Sequence, residues 1–138
     1  MTETSVTTEV EIVRHFLADL ARLDVDAALE WLDDAIVYQN VPLPAARGRH
    51  AVEKQLRGLA RFGSGFEARV HNIASNGPIV LTERTDVLVI GRVEAAFWVC
   101  GTFEVHNGRI VLWRDYFDYG NLVWAFVKGI ARAVVGRS

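Results

Sequence analysis

Cysteine, histidine and excess positive charge are all scarce in this chain, and each scarcity removes a class of chemistry. The single Cys100 has no partner for an internal disulfide. Its apolar surroundings read as those of a buried, inert thiol rather than a nucleophile. His15, His50, His71 and His106 are widely separated. Without metal-ligand spacing each reads as a surface or half-buried imidazole, and no metal is expected. A phosphate-cradling glycine loop, a Gly-x-Ser-x-Gly elbow and a Cys-x-x-Cys pair are all missing. Fifteen Lys and Arg stand against 17 Asp and Glu, a formal net charge of -2. That leaves no basic stripe to meet a phosphate backbone, so nucleic acid is not expected as a partner. Met1 to Glu9 holds neither basic residues nor an apolar run, unlike a signal peptide, and no later segment reads as a membrane span. A cytoplasmic protein is expected.

What is present is a chain of 138 residues, 51% of them hydrophobic, with a mean hydropathy of +0.16. That suits one folded domain over residues 1–138 with a sizeable core. Thr8 and Glu11 have the form of a capping box, and Ile12, Val13, Phe16, Leu17 and Leu20 follow at helical spacing, predicting a helix from Thr8 to Leu23. Asp24 or Asp26 can cap a short second helix through Leu32, leaving Asp33 and Asp34 as a solvated turn. Ala35 to Asn40 reads as a strand leading into the rigid Val41-Pro42-Leu43-Pro44 loop, and Gly48 precedes a third helix carrying Val52, Leu56 and Leu59.

From Phe66 the pattern turns to β, in runs Phe66 to Ser75, Ile79 to Ile90, Val93 to Val105 and Arg109 to Phe117. Short turns at Asn76-Gly77-Pro78, Gly91 and Asn107-Gly108 separate them. These predict an antiparallel meander with the Ala35 strand added at an edge. After Gly120 helical spacing returns, for a closing helix packed on the sheet or at a subunit contact. Helices first and sheet second is an α+β signature.

Three polar pairs interrupt these strands: Tyr38 and Asn40, Arg84 and Asp86, Trp113 and Asp115. Spacing of i and i+2 puts both members of a pair on one strand face. Val80, Thr82, Leu88 and Ile90 share parity with Arg84 and Asp86, while Val111 and Phe117 share it with Trp113 and Asp115. The charges are therefore set among apolar neighbours and are partly desolvated. Singly, each pair has a bland explanation: a solvated ion pair, a strand end, a core tryptophan. Their joint occurrence argues for one site. An isolated buried carboxylate tends to take up a proton, whereas an adjacent Arg holds it ionised. Two Asp sharing Arg84 would divide those states, giving one general acid and one general base.

Opening a strained C–O ring with water needs that combination. Asp115 would take a proton from a water fixed by Tyr38 and Asn40. Asp86 would protonate the departing oxygen, Arg84 would couple the two, and Trp113 would form a wall. Asp118 falls on the opposite face and reads as a cap or turn residue before the last helix.

Tyr38-Gln39-Asn40 with Pro42-Leu43-Pro44 and Gly48, Glu83-Arg84-Thr85-Asp86, and Leu112-Trp113-Arg114-Asp115-Tyr116-Phe117-Asp118 resemble the motifs of the limonene-1,2-epoxide hydrolase family. This family is a branch of the NTF2-like and SnoaL-like cone folds that also include ketosteroid isomerase. The resemblance implies a strongly curved, mixed but mostly antiparallel sheet wrapped by helices around a deep apolar pocket, with homodimerisation through the sheet. It also implies one-step hydrolysis of an epoxide to a vicinal diol, without covalent intermediate, metal or organic cofactor. Carried over residue by residue, Asp115 looks like the base, Asp86 the acid, Arg84 the bridge, and Tyr38 and Asn40 the water-positioning pair. Trp113 matches the aromatic residue of the motif. Pocket candidates are Leu88, Phe117, Val41 and Leu43, with Phe66, Phe97 and Trp98 beside them, and all favour a lipophilic epoxide. The alternatives on the same fold are an isomerase or cyclase, or a non-catalytic binder of lipophilic ligands.

Overall fold

In the computed structural model, which describes residues 8–136, helices and strands follow the order read from the hydrophobic pattern, with several shifted boundaries. Helix α1 (Glu9–Ala21) opens on the Thr8 and Glu11 capping box and buries Ile12, Val13, Phe16, Leu17 and Leu20. Helix α2 (Val25–Leu29) is capped by the Asp24 side chain, which accepts from the Ala27 N–H. Strand β1 (Leu32–Val41) follows, then the two-residue β2 (Ala46–Arg47) and helix α3 (Arg49–Phe62). The meander comprises β3 (Gly65–Asn76), β4 (Ile79–Ile90), β5 (Val93–His106) and β6 (Arg109–Tyr116). Helix α4 (Tyr119–Val135) closes the described chain, and Asp118 caps it as expected.

The sheet order is β2-β1-β6-β5-β4-β3. The meander strands pair antiparallel, and β1 pairs parallel to β6. The result is a mixed, mostly antiparallel sheet that is curved and unclosed. Between β5 and β6 the turn at Asn107 (φ 52°) and Gly108 (φ 79°) places both residues in the left-handed region. A two-residue hairpin connection favours Asn-Gly for that reason.

Besides the short strand β2, which the pattern did not show, three features differ from the sequence reading. Asp33 and Asp34 lie inside β1, which begins at Leu32; the pairing to β6 slips between Leu32 and Val37, so this stretch is an irregular strand rather than a turn. The second helix correspondingly stops at Leu29. On β6, Val105 faces Ile110 while Glu104 faces Leu112, which leaves Val111 as the extra residue of a β-bulge. The bulge resets parity: Ile110, not Val111, is buried in line with Trp113 and Asp115. The core lies between α1 and the concave sheet face, where the Phe16 ring meets Trp113 edge-on at 4.9 Å between centroids. No helix among the described residues is long and apolar enough to cross a membrane.

Candidate active site

The parallel pairing of β1 with β6 sets Tyr38 beside Trp113 and Asn40 beside Asp115. On β4, Arg84 and Asp86 share the same concave face two strands away. All three pairs thus meet in one pocket, a cavity of about 360 Å³. Its walls are mostly apolar, and the polar groups gather at the sheet.

Arg84 is the centre of this polar group and is only 1% exposed, with Asp86 and Asp115 at 5% each. Arg84 Nε donates to Asp86 Oδ1 at 3.0 Å and Nη2 to Asp86 Oδ2 at 2.8 Å. Toward the other carboxylate, Nη1 donates to Asp115 Oδ1 at 3.3 Å and Nη2 to Asp115 Oδ2 at 3.2 Å. Thr82 Oγ1 accepts the remaining Nη1 proton at 3.3 Å. Every N–H of the guanidinium therefore has an acceptor, as a buried cation requires.

Burial pushes the Asp115 carboxyl above its ordinary range, and the nearby Asp86 charge adds to the effect; Arg84 opposes both. For Arg84, burial works against the charge, but the two carboxylates outweigh it and hold the guanidinium more firmly protonated than usual. Tyr38 is likewise raised, first by burial and then by Asp115, so it remains a neutral phenol. Its hydroxyl lies 3.2 Å from Asn40 Oδ1 and 3.0 Å from Asn40 Nδ2. The Tyr38 ring stacks on Trp113 at 3.7 Å between centroids. Trp113 Nε1 is buried without a hydrogen-bond partner among the described residues. It nevertheless lies near enough to Asp115 to oppose the upward shift of that carboxyl slightly.

Of the apolar candidates, Leu43, Leu88 and Phe117 line the cavity, as do Phe66 and Phe97. Val41 does not: Tyr38 and Asn40 point inward, so Val41, one residue on, takes the other face. Trp98 also faces away, next to the inward Phe97 and Val99. It is 48% exposed and donates through Nε1 to Glu83 on the convex side. Leu17 and Leu20 of α1, Leu56 and Leu59 of α3, and Leu122 of α4 complete the apolar wall. The sequence reading placed Leu17, Leu20, Leu56 and Leu59 at helical spacing, which alone does not separate a core stripe from a pocket wall. Tyr119 lines the same cavity and donates its hydroxyl to the Asn40 carbonyl at 3.4 Å.

Chemically, the arrangement offers two carboxylates tied by one cation and a neutral phenol–carboxamide pair beside one of them, at the base of a lipophilic cavity. A profile of the limonene-1,2-epoxide hydrolase catalytic domain matches residues 7–128. The chain is 43% identical over 123 residues to the epoxide hydrolase EphG of Mycobacterium tuberculosis strain H37Rv, covering 89% of this chain and 82% of that relative. A solved LEH-like epoxide hydrolase from M. tuberculosis superposes with a TM-score of 0.87 at 41% identity, over 93% of this chain and 96% of that one. An NTF2-like protein of unknown function from Burkholderia pseudomallei, 15% identical, shares the fold alone with a TM-score of 0.76 over 88% of this chain and 98% of its own. Sequence match, relative and superposed structure agree, and the chain, an epoxide hydrolase, belongs to the limonene-1,2-epoxide hydrolase family.

Proposed function

We propose that the enzyme adds water to a lipophilic epoxide in one step by general acid and base catalysis. Asp115 removes a proton from a water held by Tyr38 and Asn40, and the water oxygen forms a bond to an epoxide carbon. The C–O bond of the ring breaks as Asp86 delivers its proton to the departing oxygen. The product is a vicinal diol. Asp115 is left protonated and Asp86 ionised, so a proton must leave one and reach the other before the next turnover. Arg84 remains charged throughout and keeps the two carboxylates coupled.

The observation that carries this reading is the double bidentate bridge, Asp86 to Arg84 to Asp115, buried beside a neutral Tyr38 and Asn40. A raised Asp115 makes a stronger base than an ordinary carboxylate while Arg84 keeps its ionised form accessible. Trp113, Leu88, Phe117 and Leu43 supply the substrate walls, which favours an apolar guest with its ring oxygen toward the sheet. A cytoplasmic homodimer accompanies this reading; Val123, Val127 and Ile130 form an exposed apolar stripe on α4 that a second copy would cover.

Replacing Asp115 by Asn tests the assignment. The variant is expected to lose about a thousandfold or more of its turnover of a lipophilic epoxide while still binding it. Unchanged turnover would remove Asp115 from the role of base.

A further inference from the structure

Gly101 stands in the middle of β5, paired on one side with Thr82 of β4 and on the other with Asp115 of β6. Its backbone does not need glycine, since its φ is not among the positive ones. Space is the reason. At ordinary strand spacing β4 and β6 are about 10 Å apart across β5, and the guanidinium of Arg84 must cover that gap to reach Asp115. A Cβ on Gly101 would stand 2.6 Å from Arg84 Nη1, 2.8 Å from Thr82 Oγ1 and 2.9 Å from Asp115 Oδ1. Thr82, 4% exposed, accepts from Arg84 Nη1 at 3.3 Å and donates to the Gly101 carbonyl at 3.4 Å.

We propose that Thr82 and Gly101 are positioning residues for epoxide hydrolysis: Gly101 leaves the slot, and Thr82 the acceptor, that seat the Arg84 guanidinium against both carboxylates. This rests on the acid–base reading of Asp86, Arg84 and Asp115. Without Thr82 Oγ1, one buried Nη1 proton loses its acceptor and the guanidinium can swing from Asp115 toward Asp86. Burial of Asp115 is then less well opposed, and its proton leaves only at higher pH. A methyl at position 101 lifts the guanidinium off the sheet and separates it from Asp115 directly.

The test uses the full chain and a lipophilic epoxide, comparing Thr82→Val, Thr82→Ser, Gly101→Ala and Asp115→Asn by kcat, KM, pH profile and melting temperature. Thr82→Val is expected to lower kcat about tenfold, the worth of one hydrogen bond from a charged donor, with KM within about twofold. Its acid limb should move to higher pH, and Thr82→Ser should restore both. Gly101→Ala is expected to lose about a hundredfold in kcat, as for a catalytic group misplaced by about an ångström. Should Gly101→Ala fail to fold, the Val and Ser pair at position 82 decides alone. Wild-type kcat and pH profile in Thr82→Val, or an effect confined to its melting temperature, overturns the proposal; with Asp115→Asn inactive, the acid–base reading still stands. Full turnover by Asp115→Asn overturns that reading and the proposal with it.

Discussion

As the proposed base, Asp115 would have to be both buried and ionised, and its neighbours show how that conflict is moderated. Burial and Asp86 raise its carboxyl, while Arg84 and, slightly, Trp113 hold it down. The sign for catalysis follows directly. A base whose pKa is raised is ionised only above a correspondingly higher pH, so activity is retained above that value and lost below it. The acid limb of kcat/KM is therefore expected to lie above the ordinary aspartate value of about 3.9. A profile still flat at pH 4 contradicts the assignment.

At this scale much of the site was legible because strand parity is rigid. Each i, i+2 pair is on one face whatever the surrounding fold does, and Tyr38, Asn40, Arg84, Asp86, Trp113 and Asp115 all reached the pocket. Thr82 shared that parity but gave no sign of its hydrogen bonds. A mid-strand glycine such as Gly101 signals a close approach without naming the visitor.

Among the elements, the strands of the meander were readable from turn residues and alternation, while bulges were not. The extra residue at Val111 leaves composition and alternation nearly unchanged, yet it exchanges the buried position between Ile110 and Val111. The two-residue β2 carries too little pattern to be seen. Val41 was misassigned for a simpler reason: nearness to the site in sequence outweighed its parity.

Helix α4 ties an element to function. Asp118 Oδ1 accepts from Gly120 N at 2.8 Å and Asn121 N at 3.2 Å. Flanking this cap, Phe117, Tyr119 and Leu122 all line the cavity. Asp118→Ala is expected to cost about 1 kcal/mol in stability. It should also raise KM severalfold with kcat little changed, because the wall moves while the Arg84 bridge does not. Denaturant titration and steady-state kinetics check both parts. An equal fall in kcat with KM unchanged would show that the cap acts on the chemistry instead.

Over the whole molecule, the curved sheet brings β1 and β6 together in parallel and holds β4 two strands away, and this spacing is what a single arginine can bridge. The helices close the concave face with leucines from α1, α3 and α4, so that the polar groups work in a cavity shielded from bulk water. An α+β class and a mixed sheet followed from element order and the family resemblance. Which helix faces would wall the pocket did not, because core and cavity draw on the same amphipathic stripe.

The most direct measurement of the central claim is a single turnover of a lipophilic epoxide by the purified enzyme in ¹⁸O-labelled water. Attack by a water that Asp115 activates predicts a first-turnover diol carrying one labelled oxygen beside the unlabelled epoxide oxygen. First-turnover diol without label would mean that an enzyme carboxylate attacked the ring, and would contradict the account.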